Sequence, residues 1–411
     1  MKPSVTVVTA TRNRVARLRK TLVALSRQTL DPHEFEVVVV ADGCTDDTVA
    51  CVKDLGASSP YALRVIEQQA SGTAAARNRG AADARGHVLV FLDDDMEASP
   101  DLVAIHLDAH SAGPDRVALG RMPVAHVGRR SDQLAVEAAA WWTELLAAQA
   151  DPAHRFTFRD LAAGNISLRR ELFESVGGFD ATFECAAGED NELGVRLLQR
   201  GVRFCVVPAL AVHHDTPTVS RALTRAAADG RGHVYLARKH PAIVGSLPLA
   251  EPPSGGVRRQ LFDALWERPA VASALRVMLR GLLFVSGAIG ARRLWSRTMG
   301  VLRSAAYWHG VRTVVATRAR LDALRLARVP PPLSVDLDLA NGLDAAERIL
   351  ATQPASGARL SFGATVLGEI SPRPDAESLR LPHLVRALQQ EFATLLLPLV
   401  APDLWNRPSD P

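Results

Sequence analysis

Cysteine is scarce. The four cysteines in 411 residues, Cys44, Cys51, Cys185 and Cys205, make no CxxC pair and no regular spacing. That excludes a disulfide scaffold and a cysteine-rich zinc site, and suits reduced thiols. Aromatic residues are 5% of the chain, and only four of its 48 basic residues are lysine, so the positive charge is almost all arginine. A formal net charge of +4, with arginine spread along the chain and no basic strip rich in aromatics, gives no sign of a nucleic-acid partner. The longest strongly apolar stretch, Gly281 to Ala291, is too short to span a bilayer and is flanked by Arg280 and by Arg292-Arg293. Met1-Lys2-Pro3 runs straight into strand-like sequence, so neither a signal peptide nor a transmembrane helix is expected. GxGxxG is missing after the first strand, and GxxxxGK[ST] and GxSxG are missing altogether, which argues against a dinucleotide oxidoreductase, a P-loop hydrolase and a serine-elbow hydrolase.

What is present is a chain 47% hydrophobic, enough for one large or two modest packed domains. Val5 to Val8 reads as a buried strand, followed by a helix whose stripe is Val15, Leu18, Leu22 and Leu25. Phe35 to Val40, Leu63 to Ile66 and Val88 to Leu92 read as three more strands, with an alanine-rich helix over Ala74 to Ala84. This alternation predicts a parallel sheet with right-handed crossovers. Polar residues gather after the strands: Thr9-Ala10-Thr11, Asp42-Gly43 and Asp93-Asp94-Asp95. In an open parallel sheet those carboxyl ends share one edge, where nucleotides commonly bind.

Further on, the spacing predicts a helix around Leu134 to Ala148, strand-like pieces over Arg155 to Leu168, a turn at Gly177 to Asp180, a helix over Glu192 to Arg200 and a strand at Phe204 to Val207. A connector rich in proline and glycine runs from Pro248 to Gly256. Mostly helical sequence then reaches Arg328, and Pro330-Pro331-Pro332 precedes a small α+β unit. Its strands are expected near Leu333 to Leu339, Arg359 to Phe362 and Thr365 to Ile370, and one helix near Leu381 to Leu397 closes it.

The acidic triplet holds the clearest chemistry. If the backbone stays extended, Asp93 and Asp95 point together, and two carboxylates suffice for Mg²⁺ or Mn²⁺ when a diphosphate supplies the other oxygens. Ser99-Pro100 supplies an N-cap and first residue for the next helix, so capping does not account for the triplet. Asp42 reads as a ligand for a base or ribose, or as a turn aspartate. Thr9, Thr11 and Arg14 bind a nucleotide or cap the helix nearby, and Arg77 binds it or lies on a solvated helix face. In Gly188-Glu189-Asp190-Asn191-Glu192 one acid would satisfy the helix dipole, leaving a carboxylate free to act as general base. His213-His214 ends a strand and either completes a metal site or is a surface pair.

Taken together, five pieces resemble family-2 glycosyltransferases of the GT-A fold. They are Ser4 to Arg14, Val39 to Thr48, Ala75 to Gly80, Phe91 to Asp95 as the DxD element, and Gly177 to Asp180 with Gly188 to Leu197 on the acceptor side. Their order spans roughly residues 1 to 240. The resemblance implies a Rossmann-like, mostly parallel α/β sheet in a domain over 1–245, while the spacing and proline breakers beyond it divide the rest into a helical segment over 257–328 and an accessory α+β unit over 333–411. It implies that Thr9, Thr11, Asp42 and Arg77 hold the nucleoside of a UDP-sugar, with Arg14 and Asp94 beside them. Asp93 would serve the ribose or metal, and Asp95 would hold Mn²⁺ or Mg²⁺ on the diphosphate. His214 would reach that metal, with His213 as its rival. Asp190 would be the base of an inverting transfer to an unidentified hydroxyl, beside Glu189. Ala10-Thr11 and Ala41 depart from the family's usual Thr-Tyr and first aspartate. The alternatives are a nucleotidyltransferase and a non-catalytic nucleotide- or sugar-binding module. The motifs do not cover the arginine-studded apolar segment Leu275 to Leu302. It reads as a surface giving peripheral membrane contact through 262–302 or, preferred here, as a helical cover over the core. The expected location is the cytoplasm, with membrane association left open.

Overall fold

A computed structural model describes residues 2–125, 133–183, 187–214, 218–326 and 333–401. The chain opens with β1 (Val5–Thr11), α1 (Val15–Leu25), β2 (Phe35–Asp42), α2 (Thr48–Gly56), β3 (Ala62–Gln68), α3 (Thr73–Ala82) and β4 (Val88–Leu92). It continues through β5 (Met96–Ala98), α4 (Leu102–Asp108), β6 (Arg116–Arg121), α5 (Gln133–Gln149), β7 (Asn165–Arg169), α6 (Arg170–Ser175), α7 (Glu189–Gln199), β8 (Arg203–His213) and α8 (Val219–Lys239). Helices α9 (Gly256–Glu267), α10 (Pro269–Ala288), α11 (Arg292–Val315) and α12 (Arg318–Arg325) follow. A small unit ends the described chain: β9 (Ser334–Asp338), α13 (Leu343–Thr352), β10 (Gly357–Phe362), β11 (Thr365–Ile370), α14 (Leu381–Gln390) and α15 (Ala393–Val400).

The large sheet has the order β3-β2-β1-β4-β7-β6-β8-β5. Strands β3, β2, β1 and β4 are parallel neighbours, whereas β7 is antiparallel to both β4 and β6, and β5 is antiparallel to β8. The chain builds outward from β1 to β3 and then crosses back to β4, so the order reverses at β1 and opens a crevice at the carboxyl ends. Every residue of β2 and β4 is buried, which is why β4 and the Val37 to Ala41 part of β2 read as apolar runs, while Glu36 is buried with bonds from Thr6, Arg64 and the Arg85 amide. Val5, Val7, Val37 and Val90 pack on Leu18, Leu22 and Leu25 of α1 and on Leu102 of α4. The opposite face buries Val8, Leu89 and Phe91 against Phe173, Phe179, Leu193 and Leu197.

Several expectations are corrected. The strand-like pieces over Arg155 to Leu168 resolve into a 3-10 turn, Phe158–Asp160, and β7. Ser99 is not the N-cap of α4, which starts at Leu102 after Asp101; the Ser99 hydroxyl donates instead to the Asp101 carboxylate at 2.6 Å. The single closing helix is two, because the chain breaks at Glu391 and Phe392 between α14 and α15. Cys185 and Pro330 to Pro332 lie outside the described residues. The preferred reading of the 275–302 segment as a cover also fails for α10, of which only Ala272, Leu283 and Ser286 are buried.

Helices α9, α11 and α12 send Phe262, Leu265, Trp308, Val311 and Leu321 into the same core as Leu193 and Val234. The small unit has its own core of Leu337, Leu350, Leu360, Leu384 and Phe392, and it docks on the segment before β7. There the Arg155 guanidinium donates to the Glu377 and Ser356 carbonyls at 3.0 and 2.6 Å. The tightest helix crossing joins α8 to α11. A Cβ on Gly310 would stand 1.9 Å from the Ala227 carbonyl oxygen, and one on Gly230 would stand 2.1 Å from that of Tyr307. Backbone cannot yield as a side-chain tip does, so Gly310→Ala is expected to cost about 1–3 kcal/mol. Urea unfolding checks this, and an unchanged midpoint would mean that the two helices are not in this contact.

Candidate active site

At the carboxyl ends of β1, β2 and β4 lies a cavity of about 480 Å³. Ala10, Thr11, Arg12 and Arg14 enter from the end of β1, Asp42 from β2, and Asp93 and Asp94 from the turn after β4. Gly72, Thr73, Ala76 and Arg77 come from the start of α3, Glu189 from the first turn of α7, and Arg225 from α8. The sequence therefore brings Thr11, Arg14, Asp42, Arg77, Asp93, Asp94 and Glu189 to one place. Thr9 is a correction. It is fully buried on the face shared with Val7, its hydroxyl has no partner, and it does not line the cavity.

Asp42 is 5% exposed and accepts from the Gln68 side chain at 2.8 Å and from the Ser71 and Gly72 amides at 2.8 and 2.9 Å. A carboxylate has about four lone-pair sites. Asp42 thus fastens the loop that starts α3 and keeps little accepting capacity for a ligand.

Beyond Leu92 the backbone turns, so side chains no longer alternate and Asp93 does not point with Asp95. Asp93 accepts from Arg77 at 2.8 Å. Asp94 accepts from the Thr11 hydroxyl at 2.7 Å and from Arg14 at 3.0 Å. Asp95 meets Arg17 at 3.2 Å, Arg14 at 3.5 Å and the His213 imidazole at 3.3 Å. These neighbours split two adjacent buried acids. Burial raises Asp94 despite Arg14 and Thr11; at Asp95 burial opposes ionisation too, but His213, Arg14 and Arg17 overcome it and lower the carboxyl.

Arg77 is not on a solvated helix face. It is 6% exposed, lies over the Phe179 ring at 5.3 Å, and bridges Asp93 to Glu189, the latter at 3.0 Å. Glu189 and Asp190 stand in the first turn of α7, three residues earlier than the apolar stripe alone indicated. Glu189 is committed to Arg77. Asp190 accepts from the Asn191 amide at 2.8 Å, and burial, reinforced by the Glu189 charge, pushes its carboxyl up to about 6 against the pull of Arg225 and Arg77. Glu192, fully buried, opposes its own desolvation with bonds from His240 at 3.0 Å, Arg196 at 2.6 Å and Lys239 at 2.8 Å, which hold it down to about 2. The three acids at this helix entrance therefore have three separate duties.

His214 is corrected as well. Its imidazole meets Glu97 at 2.7 Å, while His213 reaches Asp95. The β5–β8 ladder sets this by pairing Met96 with His213. No group of three or more His, Cys, Asp or Glu side chains among the described residues is arranged to hold a metal. Arg12, Gly72, Thr73 and Arg225 are lining residues that sequence reasoning passed over. Gly72-Thr73 at the start of an alanine-rich helix was a usable signal, whereas Arg225 lies in a helix with no motif.

Residues 6–177 match the family model described as "Glycosyl transferase family 2", and residues 143–219 match "N-terminal domain of galactosyltransferase". Validoxylamine A glucosyltransferase of Streptomyces hygroscopicus subsp. limoneus is 35% identical over 235 residues, 50% of this chain and 50% of its own. Glucosyl-dolichyl phosphate glucuronosyltransferase of Haloferax volcanii is 29% identical over 180 residues, 44% of this chain and 56% of its own. The chain thus spans about half the length of these curated relatives. A solved mannosyltransferase from Pyrobaculum calidifontis, in complex with GDP-Man and Mn²⁺, superposes with a TM-score of 0.50 at 20% identity, covering 75% of this chain and 87% of that one. This likeness shows the fold.

Two outcomes follow from the charges. Arg77→Ala leaves Glu189 buried and unpaired and is expected to cost about 3–5 kcal/mol in urea unfolding; a loss below ~1 kcal/mol would show that the bridge does not hold these elements. The raised Asp190 carboxyl binds its proton more tightly folded than unfolded. Its stabilising contribution is therefore complete below its ordinary value of 3.8 and lost as pH rises through about 6. Asp190→Asn should melt higher than wild type at pH 8, with the gap closing near pH 4; an equal or lower melting temperature at pH 8 would contradict the shift.

Proposed function

We propose that this chain, whose residues 6–177 match the model described as "Glycosyl transferase family 2", transfers a sugar from a nucleoside-diphosphate sugar to an acceptor hydroxyl, with Asp190 as general base. One observation carries the reading: a single cavity at the switch point of the sheet gathers Arg12, Arg77, Arg225 and the start of α3 around the carboxylates of Asp93 and Glu189. The first-turn amides of α3, which no side chain caps, and the Arg12 guanidinium supply the positive field a diphosphate needs. Uridine nucleotides are the first donors to test.

In this mechanism Arg77 neutralises Glu189 and leaves Asp190, next along α7, as the carboxylate free to take a proton. Near neutral pH a group raised to about 6 is ionised yet still basic enough to help. Asp190 takes the acceptor hydroxyl proton as that oxygen bonds to the anomeric carbon from the face opposite the leaving group. The bond from that carbon to the diphosphate breaks, and the nucleoside diphosphate departs with the electron pair.

The acids as arranged here do not fit a divalent ion such as Mn²⁺ or Mg²⁺: Asp95 is engaged by Arg14, Arg17 and His213 and is not among the residues that line the cavity. Asp93, engaged by Arg77, and His214, engaged by Glu97, are not suited to it.

Thermal-shift titrations with uridine and guanosine diphosphates, with Mn²⁺ and with chelator, test binding, and turnover of the sugar nucleotides tests chemistry. Asp190→Asn is expected to keep nucleotide affinity while losing turnover by about 10²–10⁴-fold. Wild-type kcat/KM is expected to rise with pH through about 6. Undiminished turnover in the variant would remove Asp190 from this role, and nucleotide binding without transfer by the wild type would favour a binding module.

A further inference from the structure

Helix α10 turns most of its apolar surface to solvent. Val277, Met278 and Phe284 are 68, 69 and 79% exposed, with Val271 and Val285 about half exposed. The residues 271, 278 and 285 and the pair 277 and 284 recur every seven positions, so they form one continuous stripe along the helix. The opposite face is engaged: Leu283 packs with Leu223, Met299 and Leu302, and Leu279 and Trp295 lean on that cluster. A groove of about 650 Å³ leads inward from the stripe between α8, α10 and α11, and Arg280 is its one charged lining residue.

The charge along this stretch of chain is one-sided, although Arg303 and Arg318 are paired with Glu137 and Asp263 from elsewhere in the chain. From Arg268 to Leu321 the sequence has ten arginines and not one aspartate or glutamate. Arg280 is exposed and lines the groove with Phe284 of the stripe, and Arg293 and Arg297 are exposed at the start of α11, which packs on α10. An exposed apolar stripe edged by arginine complements an anionic lipid surface, whose acyl region takes the stripe and whose headgroups take the guanidinium groups. A second copy of this chain would bring arginine against arginine.

We propose that α10 docks this protein on the surface of an anionic membrane, lying in the interface with its arginines among the headgroups. By length and hydropathy α10 is also the one helix among the described residues able to cross a bilayer. Crossing would strip it from α9 and α11 and place Arg276 and Arg280 in hydrocarbon, whereas lying flat keeps both contacts. The inference does not depend on the transfer reaction.

Flotation of the full chain with phosphatidylcholine vesicles, with and without phosphatidylglycerol, tests it. Binding is expected only with phosphatidylglycerol and should weaken as salt rises. Met278→Asp with Phe284→Asp should lower binding at least about tenfold. Each of Arg280→Gln and Arg293→Gln should lower it about fivefold. All four positions are exposed, so circular dichroism melts should match wild type. Three outcomes would overturn the proposal: no vesicle binding, a dimer in light scattering that these substitutions dissociate, or resistance to alkaline extraction from membranes, which marks a spanning helix.

Discussion

A single buried guanidinium organises the site. Arg77 reaches from α3 to Asp93 after β4 and to Glu189 at the start of α7, so one side chain joins three segments up to 112 residues apart. Burying a cation is costly unless it is paired and hydrogen-bonded, and here two carboxylates and the Phe179 ring supply the compensation. The planar fork of arginine can meet both acids at once, which the point charge of lysine does less well. Glu189 is ion-paired with Arg77, Glu192 is locked by His240, Arg196 and Lys239, and burial beside the Glu189 charge raises the Asp190 carboxyl.

The same logic explains what could be read in advance. Strands β1, β2 and β4 were legible because burial on both faces imposes an apolar run, and α1 because Leu18, Leu22 and Leu25 repeat at helical spacing. The acids after β4 were legible as a group, since polar residues past a buried strand must emerge at its edge. Their individual partners were not. The turn after Leu92 ends the two-residue alternation, and the choice between His213 and His214 depends on a ladder formed with a three-residue strand. Helix α8 was missed because alanine, arginine and glycine dominate its sequence; it nevertheless buries Leu223, Val234 and Leu236 together with Ala228, Gly230, Gly232 and Ala237.

That helix proves central to how the parts fit. On one side the absence of a side chain at Gly230 lets the α11 backbone approach at Tyr307; two residues on, and so roughly on the other side, Gly232 admits the Ala187 carbonyl just ahead of α7. A Cβ there would stand 2.4 Å from that oxygen. The first turns show the same division. Leu223 lines the apolar groove beneath α10, whereas Arg225, two positions later, lines the cavity and bears on the Asp190 carboxyl. Helix α8 is therefore a thin wall with the arginine-rich helices on one side and the acid-bearing turn on the other. A wall so closely packed cannot tilt without moving the Arg225 charge relative to Asp190.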